Sequence, residues 1–110
     1  MAYDEQLAER VRELLMPDAD RVRELKMFGG LCFTLAGNMA VGLHGDRLIV
    51  RVDPSAADAL LAKPHVAPFD LTGRPMRGWL FIYLDGLKTK RALAGWVDRG
   101  CAYAASLPPK

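Results

Sequence analysis

The stretch VRELKMFGGLCFTLAGNMAVGLHGDRLIVRV, residues 22–52, decides the fold. Gly29-Gly30, Gly37-Asn38 and Gly45-Asp46 interrupt it at even intervals, and each dipeptide can reach the positive backbone dihedrals that a tight hairpin requires. Four short strands joined as an antiparallel meander are therefore predicted. Along them Leu31, Phe33 and Leu35, then Met39, Val41 and Leu43, then Leu48, Val50 and Val52 alternate with smaller or polar residues. One face of the sheet is thus strongly apolar and needs a helical cover.

Helices are predicted on both sides of this stretch. Leu7, Ala8, Val11, Leu14 and Leu15 recur at helical spacing between Asp4, a capping residue, and Met16-Pro17-Asp18, where proline ends the helix. After the meander, Asp53-Pro54 opens a second helix carrying Ala56, Ala57, Leu60 and Leu61, and Pro64 closes it. Residues 67–71 read as a short strand. Met76 to Leu84 read as a longer one, ended by Asp85-Gly86. The last helix, from about Thr89 to Leu107, places Leu93, Trp96, Val97, Gly100, Cys101 and Ala104 on one stripe. Gly95 and Gly100 each cost it roughly 1 kcal/mol relative to alanine, which points to close packing at both. The expected architecture is α+β: a two-layer α/β sandwich with helices on one face of an antiparallel sheet.

The strand from Met76 to Leu84 is apolar on both sides. Met76, Leu80, Ile82 and Leu84 look one way and Trp79, Phe81 and Tyr83 the other, which is more than a half-exposed sheet should carry. A cover for the second face is expected, and a second copy of the chain is the leading candidate.

The 110 residues suffice for one domain, residues 1–110, with a single core. A composition that is 51% hydrophobic and 25% charged is that of a water-soluble globular protein. No apolar run approaches the roughly 20 residues that span a bilayer, and the acidic N-terminus lacks the pattern of a secretory leader. A cytoplasmic location, with no membrane partner, is the expectation. The net charge of +2 is too small to argue for direct nucleic-acid binding. Cys32 and Cys101 stand apart, without the neighbours of a zinc site or redox pair, and read as buried free thiols.

Two signatures then stand out, Lys26-Met27-Phe28-Gly29-Gly30 at the first turn and Gly73-Arg74-Pro75-Met76-Arg77-Gly78-Trp79 opening the last strand. With the order helix, meander, helix, strand, helix and Asn38 at the second turn, they resemble the N-terminal domain of the TfoX/Sxy family over nearly the whole sequence. That resemblance implies a two-layer fold similar to that of secretion chaperones and an ability to pair as homodimers. It also implies a non-enzymatic role like that of regulators of bacterial natural competence, which act with a transcription activator. Full-length regulators carry a second domain resembling helix-hairpin-helix modules. The present sequence ends at Lys110 before one, so a stand-alone domain is expected.

Gly29-Gly30 lacks the spacing and the following helix of a phosphate loop, so Phe28, Gly29 and Gly30 are read as a structural turn. Ser55 and Ser106 lie outside any nucleophile-elbow pattern, and His44 and His65 lack metal-ligand spacing. Glu9 and Glu13, beside Arg10 and Arg12, read as a solvated face. Lys88, Lys90 and Arg91 form a local basic cluster of the same kind. No catalytic residue, metal or cofactor is expected. The functional candidates are Arg74, Arg77, Trp79, Phe81 and Tyr83. They form either an interface for self-association and a regulatory protein partner or a site where two guanidinium groups beside aromatic rings take a small anion or nucleotide.

Overall fold

In a computed structural model of the chain, residues 3–27, 29–69 and 78–109 are described. Helix α1, Glu5–Leu15, starts where sequence places it, because the Asp4 carboxylate accepts hydrogen bonds from the backbone N–H of Gln6 and Leu7 at 2.9 and 3.1 Å. It buries Leu7, Ala8, Val11 and Leu15, and a 3-10 turn at Met16–Asp18 ends it at Pro17. The meander follows as β1 (Val22–Met27), β2 (Gly30–Leu35), β3 (Asn38–His44) and β4 (Arg47–Arg51). Asp53, accepting from the Ser55 backbone N–H, opens a 3-10 turn that leads into α2, Ala57–Leu61. Strands β5 (Val66–Pro68) and β6 (Trp79–Ile82) come next. A 3-10 turn at Leu84–Leu87 then precedes α3, Lys90–Ser106, which Thr89 caps through the Ala92 N–H.

The strands form one open antiparallel sheet in the order β1-β2-β3-β4-β6-β5, not closed into a barrel. One face is the main core, where Leu31, Phe33, Val41, Leu43, Leu48, Val50, Val52, Leu80 and Ile82 meet the buried residues of all three helices. This is the α+β sandwich expected.

A bulge seats α3. Phe33 pairs with Val41 and Thr34 with Met39, so Ala40 is the extra residue of β3, buried together with Leu35 and Ala104. A Cβ added at Gly100 would lie 2.4 Å from the Ala40 carbonyl oxygen and 2.8 Å from Val41 Cγ1. Glycine is required there by proximity, as its helix cost suggested. Gly95 is different: a Cβ there meets nothing within 4 Å, so the packing expected for it is absent.

Three further boundaries move. The β2–β3 turn is Ala36-Gly37, both with positive φ, at 53° and 86°, rather than Gly37-Asn38. Asn38 instead begins β3 and is buried, its amide nitrogen donating to the Pro108 carbonyl at 2.9 Å. Gly29 takes the positive φ of the first turn, 73°, whereas Gly30 belongs to β2, where a Cβ would fall 1.9 Å from the Leu43 carbonyl oxygen. Leu84 leaves the last strand for the 3-10 turn, and the expected start of that strand at Met76 lies outside the described residues, as does Phe28.

The two helical glycines should respond oppositely to the same change. Gly95→Ala should raise unfolding free energy by about 1 kcal/mol through helix propensity alone. Gly100→Ala should lower it by about 1–3 kcal/mol through overpacking against Ala40. Urea denaturation of both variants checks this, and equal effects would contradict the seating of α3.

Candidate functional site

The second face of the sheet carries Trp79 and Phe81, two of the residues that sequence marked out. Because β6 pairs with β4, Arg51 lies opposite Trp79 and Ile49 opposite Phe81. Phe81 is 2% exposed and shares a small apolar layer with Cys32, Met39, Ile49 and Phe69, with Trp79 and Ala67 at its margin. Phe69 follows directly on β5, and its N–H donates to the Trp79 carbonyl at 3.2 Å. Its ring lies 4.9 Å from that of Phe81 and 5.9 Å from that of Trp79. The cover predicted for this face therefore comes in part from the chain itself.

Two arginines of β4 complete the layer. The Arg47 guanidinium sits 3.9 Å from the Phe81 ring centroid, and its Nη2 lies 3.1 Å from His44 Nδ1. A guanidinium has no acceptor, so His44 Nδ1 accepts this bond. Arg51 lies 5.2 Å from the Trp79 ring and 5.5 Å from that of Tyr103 on α3. These cations spread charge over aromatic faces that would otherwise meet water.

Of the five candidates, Phe81 is buried, Trp79 half-buried and Tyr83 exposed at 45%. Arg74 and Arg77 lie outside the described residues, so the arginine-tryptophan constellation proposed for an anion is not described as a unit. Sequence reading missed Arg47, Arg51 and Phe69. The arginines lie on the strand face opposite Leu48 and Val50, and pairing with the aromatic side of β6 reveals their role.

The thiols are poor nucleophiles. Burial pushes the Cys32 thiol up to about 11. Burial, reinforced by Asp18 and Asp98 and opposed by Arg21, does the same for Cys101, to about 11. Cys32 Sγ lies 3.7 Å from Met39 Sδ. Among the described residues no group of three or more His, Cys, Asp or Glu side chains could hold a metal ion, and no helix is long and apolar enough to cross a membrane.

Phe81→Ala should cost about 3–5 kcal/mol in urea unfolding, as deletion of a buried ring does. A raised folded pKa means that the contribution of Cys32 is fully present below the ordinary ionisation near 9.0 and lost as pH rises toward about 11. The decline in stability across that alkaline window should be shallower in Cys32→Ala, measured by denaturation at successive pH values.

Comparison with protein families places the chain. A family model described as the TfoX N-terminal domain matches residues 13–104, which is most of the sequence. Comparison with curated proteins and with solved structures returned no match. The chain belongs to the TfoX N-terminal domain family.

Proposed function

We propose that this TfoX N-terminal domain is a non-enzymatic, cytoplasmic interaction module that pairs with a second copy of itself through β1 and serves a regulatory protein partner as a dimer. The observation that carries the proposal is Leu25, 46% exposed in the middle of an edge strand and flanked by Glu24 and Lys26. Burial of Phe81 moves the argument for an interface away from β6. Tyr83 and the margin of Trp79 remain as surface for a further partner.

The edge selects its own register. Ala36 N–H donates to the Arg21 carbonyl, and Met27 faces Gly30 across the first hairpin. In the antiparallel alternation, residues 21, 23, 25 and 27 then bond to β2, while Val22, Glu24 and Lys26 direct their backbone groups to the free edge. A two-fold pairing must match edge-directed residues with each other, so its axis passes through a residue and not between two. An axis at Arg23, Glu24 or Lys26 sets that charge against its own copy. An axis at Leu25 sets leucine on leucine and places Glu24 opposite Lys26 twice. The charges that commonly protect an edge from pairing here disfavour the other registers.

A cleft of about 280 Å³ beside this edge supplies further apolar surface, lined by Leu15, Met16, Val22 and Phe33 among others, with Met16 itself 69% exposed. Arg12 holds Glu24 at its rim, with guanidinium nitrogens 2.8 and 2.9 Å from Glu24 Oε1. Glu9 also bonds Arg12, and these carboxylates push its pKa up.

Sedimentation equilibrium should show a dimer. Lys26→Glu turns two attractive pairs into repulsive ones and should weaken it about tenfold, since each exposed pair contributes about 0.2–1 kcal/mol. The double variant Glu24→Lys, Lys26→Glu should restore the pairing. A monomer at all concentrations, or a swap that rescues nothing, would remove the basis of the proposal.

A further inference from the structure

A second feature is a cleft of about 320 Å³ between the end of α2 and the middle of α3, whose lining includes Lys63, His65, Arg91, Gly95, Trp96 and Arg99. Its ionisable lining is entirely basic or imidazole. Lys63, Arg91 and Arg99 have no carboxylate within ion-pairing distance among the described residues, whereas Arg12 has two and Arg21 and Lys88 have one each. Asp85, next to the lining residue Gly86, is engaged by Lys88 at 3.5 Å. Like charges lining one cleft repel one another, and an anion bound among them relieves that repulsion.

The backbone around the cleft is specialised. His65 holds a left-handed conformation, φ 66°, uncommon for residues other than glycine, although histidine is among those that take it most readily. Its carbonyl accepts from the Tyr83 N–H at 2.8 Å. A Cβ at Gly86 would come 2.9 Å from His65 Cβ, so glycine is what lets the two segments close up. Gly95 lies in the interior of α3, costs the helix about 1 kcal/mol against alanine, and has nothing within 4 Å that its missing side chain would strike. Packing explains Gly100 and does not explain Gly95. What Gly95 does is keep the space between Arg91 and Arg99, one turn to either side of that pair's midpoint, unfilled beside the half-buried Trp96.

We infer that this cleft binds a small phosphorylated ligand bearing a planar ring, of the chemical class of a nucleoside monophosphate. Arg91 and Arg99 present guanidinium forks that match phosphate oxygens, with Lys63 as a third positive charge. Trp96, whose ring has the Arg99 guanidinium 5.4 Å from its centroid, supplies an aromatic surface against which a base can lie. The volume is at the lower end of the roughly 300–1,000 Å³ of small-molecule sites, which suits one mononucleotide and is small for a folded partner. The cleft is built by one chain and lies away from β1, so it does not depend on edge pairing.

The test uses the full chain in a Trp79→Phe background, which leaves Trp96 as the only tryptophan. Adenosine, guanosine, cytidine and uridine monophosphate are titrated at fixed ionic strength, with inorganic phosphate in parallel, following Trp96 fluorescence and melting temperature. At least one mononucleotide should change the fluorescence and raise the melting temperature by mass action, and should bind more tightly than inorganic phosphate. Arg99→Ala should weaken binding about tenfold, the loss of one charge-assisted phosphate contact. Gly95→Leu should abolish binding while leaving the unliganded protein as stable as the parent or more so, which separates a filled site from a damaged fold. No response to any of the four at millimolar concentration, binding no tighter than that of inorganic phosphate, or full binding in Gly95→Leu would each overturn the assignment.

Discussion

The approach of α3 to β3 is the constraint on which the rest of the structure depends. At Gly100 the helix lies so close to the Ala40 carbonyl that no side chain fits between them. The bulge makes this contact available, since the extra residue of β3 is turned toward the helix layer beside Val41. With α3 fixed at that depth, Leu93 and Val97 reach the sheet, and α1 completes the same core with Leu7, Ala8, Val11 and Leu15. Arg10 of α1 donates to the Leu87 carbonyl just before α3, tying the two helices where the 3-10 turn ends. A looser α3 would widen the core everywhere at once, because close-packed interiors transmit a displacement instead of absorbing it.

Sequence disclosed the elements well and their neighbours poorly, for a physical reason. Hairpin glycines, caps and alternation are local signals, and they placed the meander and all three helices. Gly30 and Asn38 read as turn residues because glycine and asparagine are turn formers, while their actual constraints are a carbonyl on β3 and a carbonyl near the end of the chain. Gly95 and Gly100 are indistinguishable in a helical pattern, yet only one touches the sheet. Composition along β6 correctly signalled a covered second face. It could not signal that Phe69 and two arginines of β4 take part in the cover, because those contacts exist only once β6 lies beside β4. The exposed status of β1 was equally hidden, since being an edge is a property of the sheet and not of the strand.

The two faces of the sheet solve different problems with different chemistry. On the helix side, aliphatic groups fill a continuous core. On the other side a thin aromatic layer is finished by Arg47 and Arg51, whose guanidinium groups lie over rings and remain partly hydrated. Among the described residues the large apolar side chains left exposed are Met16, Leu25 and Tyr83. The basic cleft between α2 and α3 is separate again, in the helix layer, so association and ligand binding would use different parts of one small fold.

The succession of three two-residue hairpin connections also bears on how the chain reaches this state. Strands β1 to β4 can assemble from contacts between near neighbours in sequence, for which loop closure is cheap. Strand β6 must join β4 from across the whole of α2 and β5, and α3 must find Ala40 from some sixty residues away, an approximate separation whose closure is entropically costlier. The costlier loop closures thus fall on the C-terminal half, which packs against the locally connected meander.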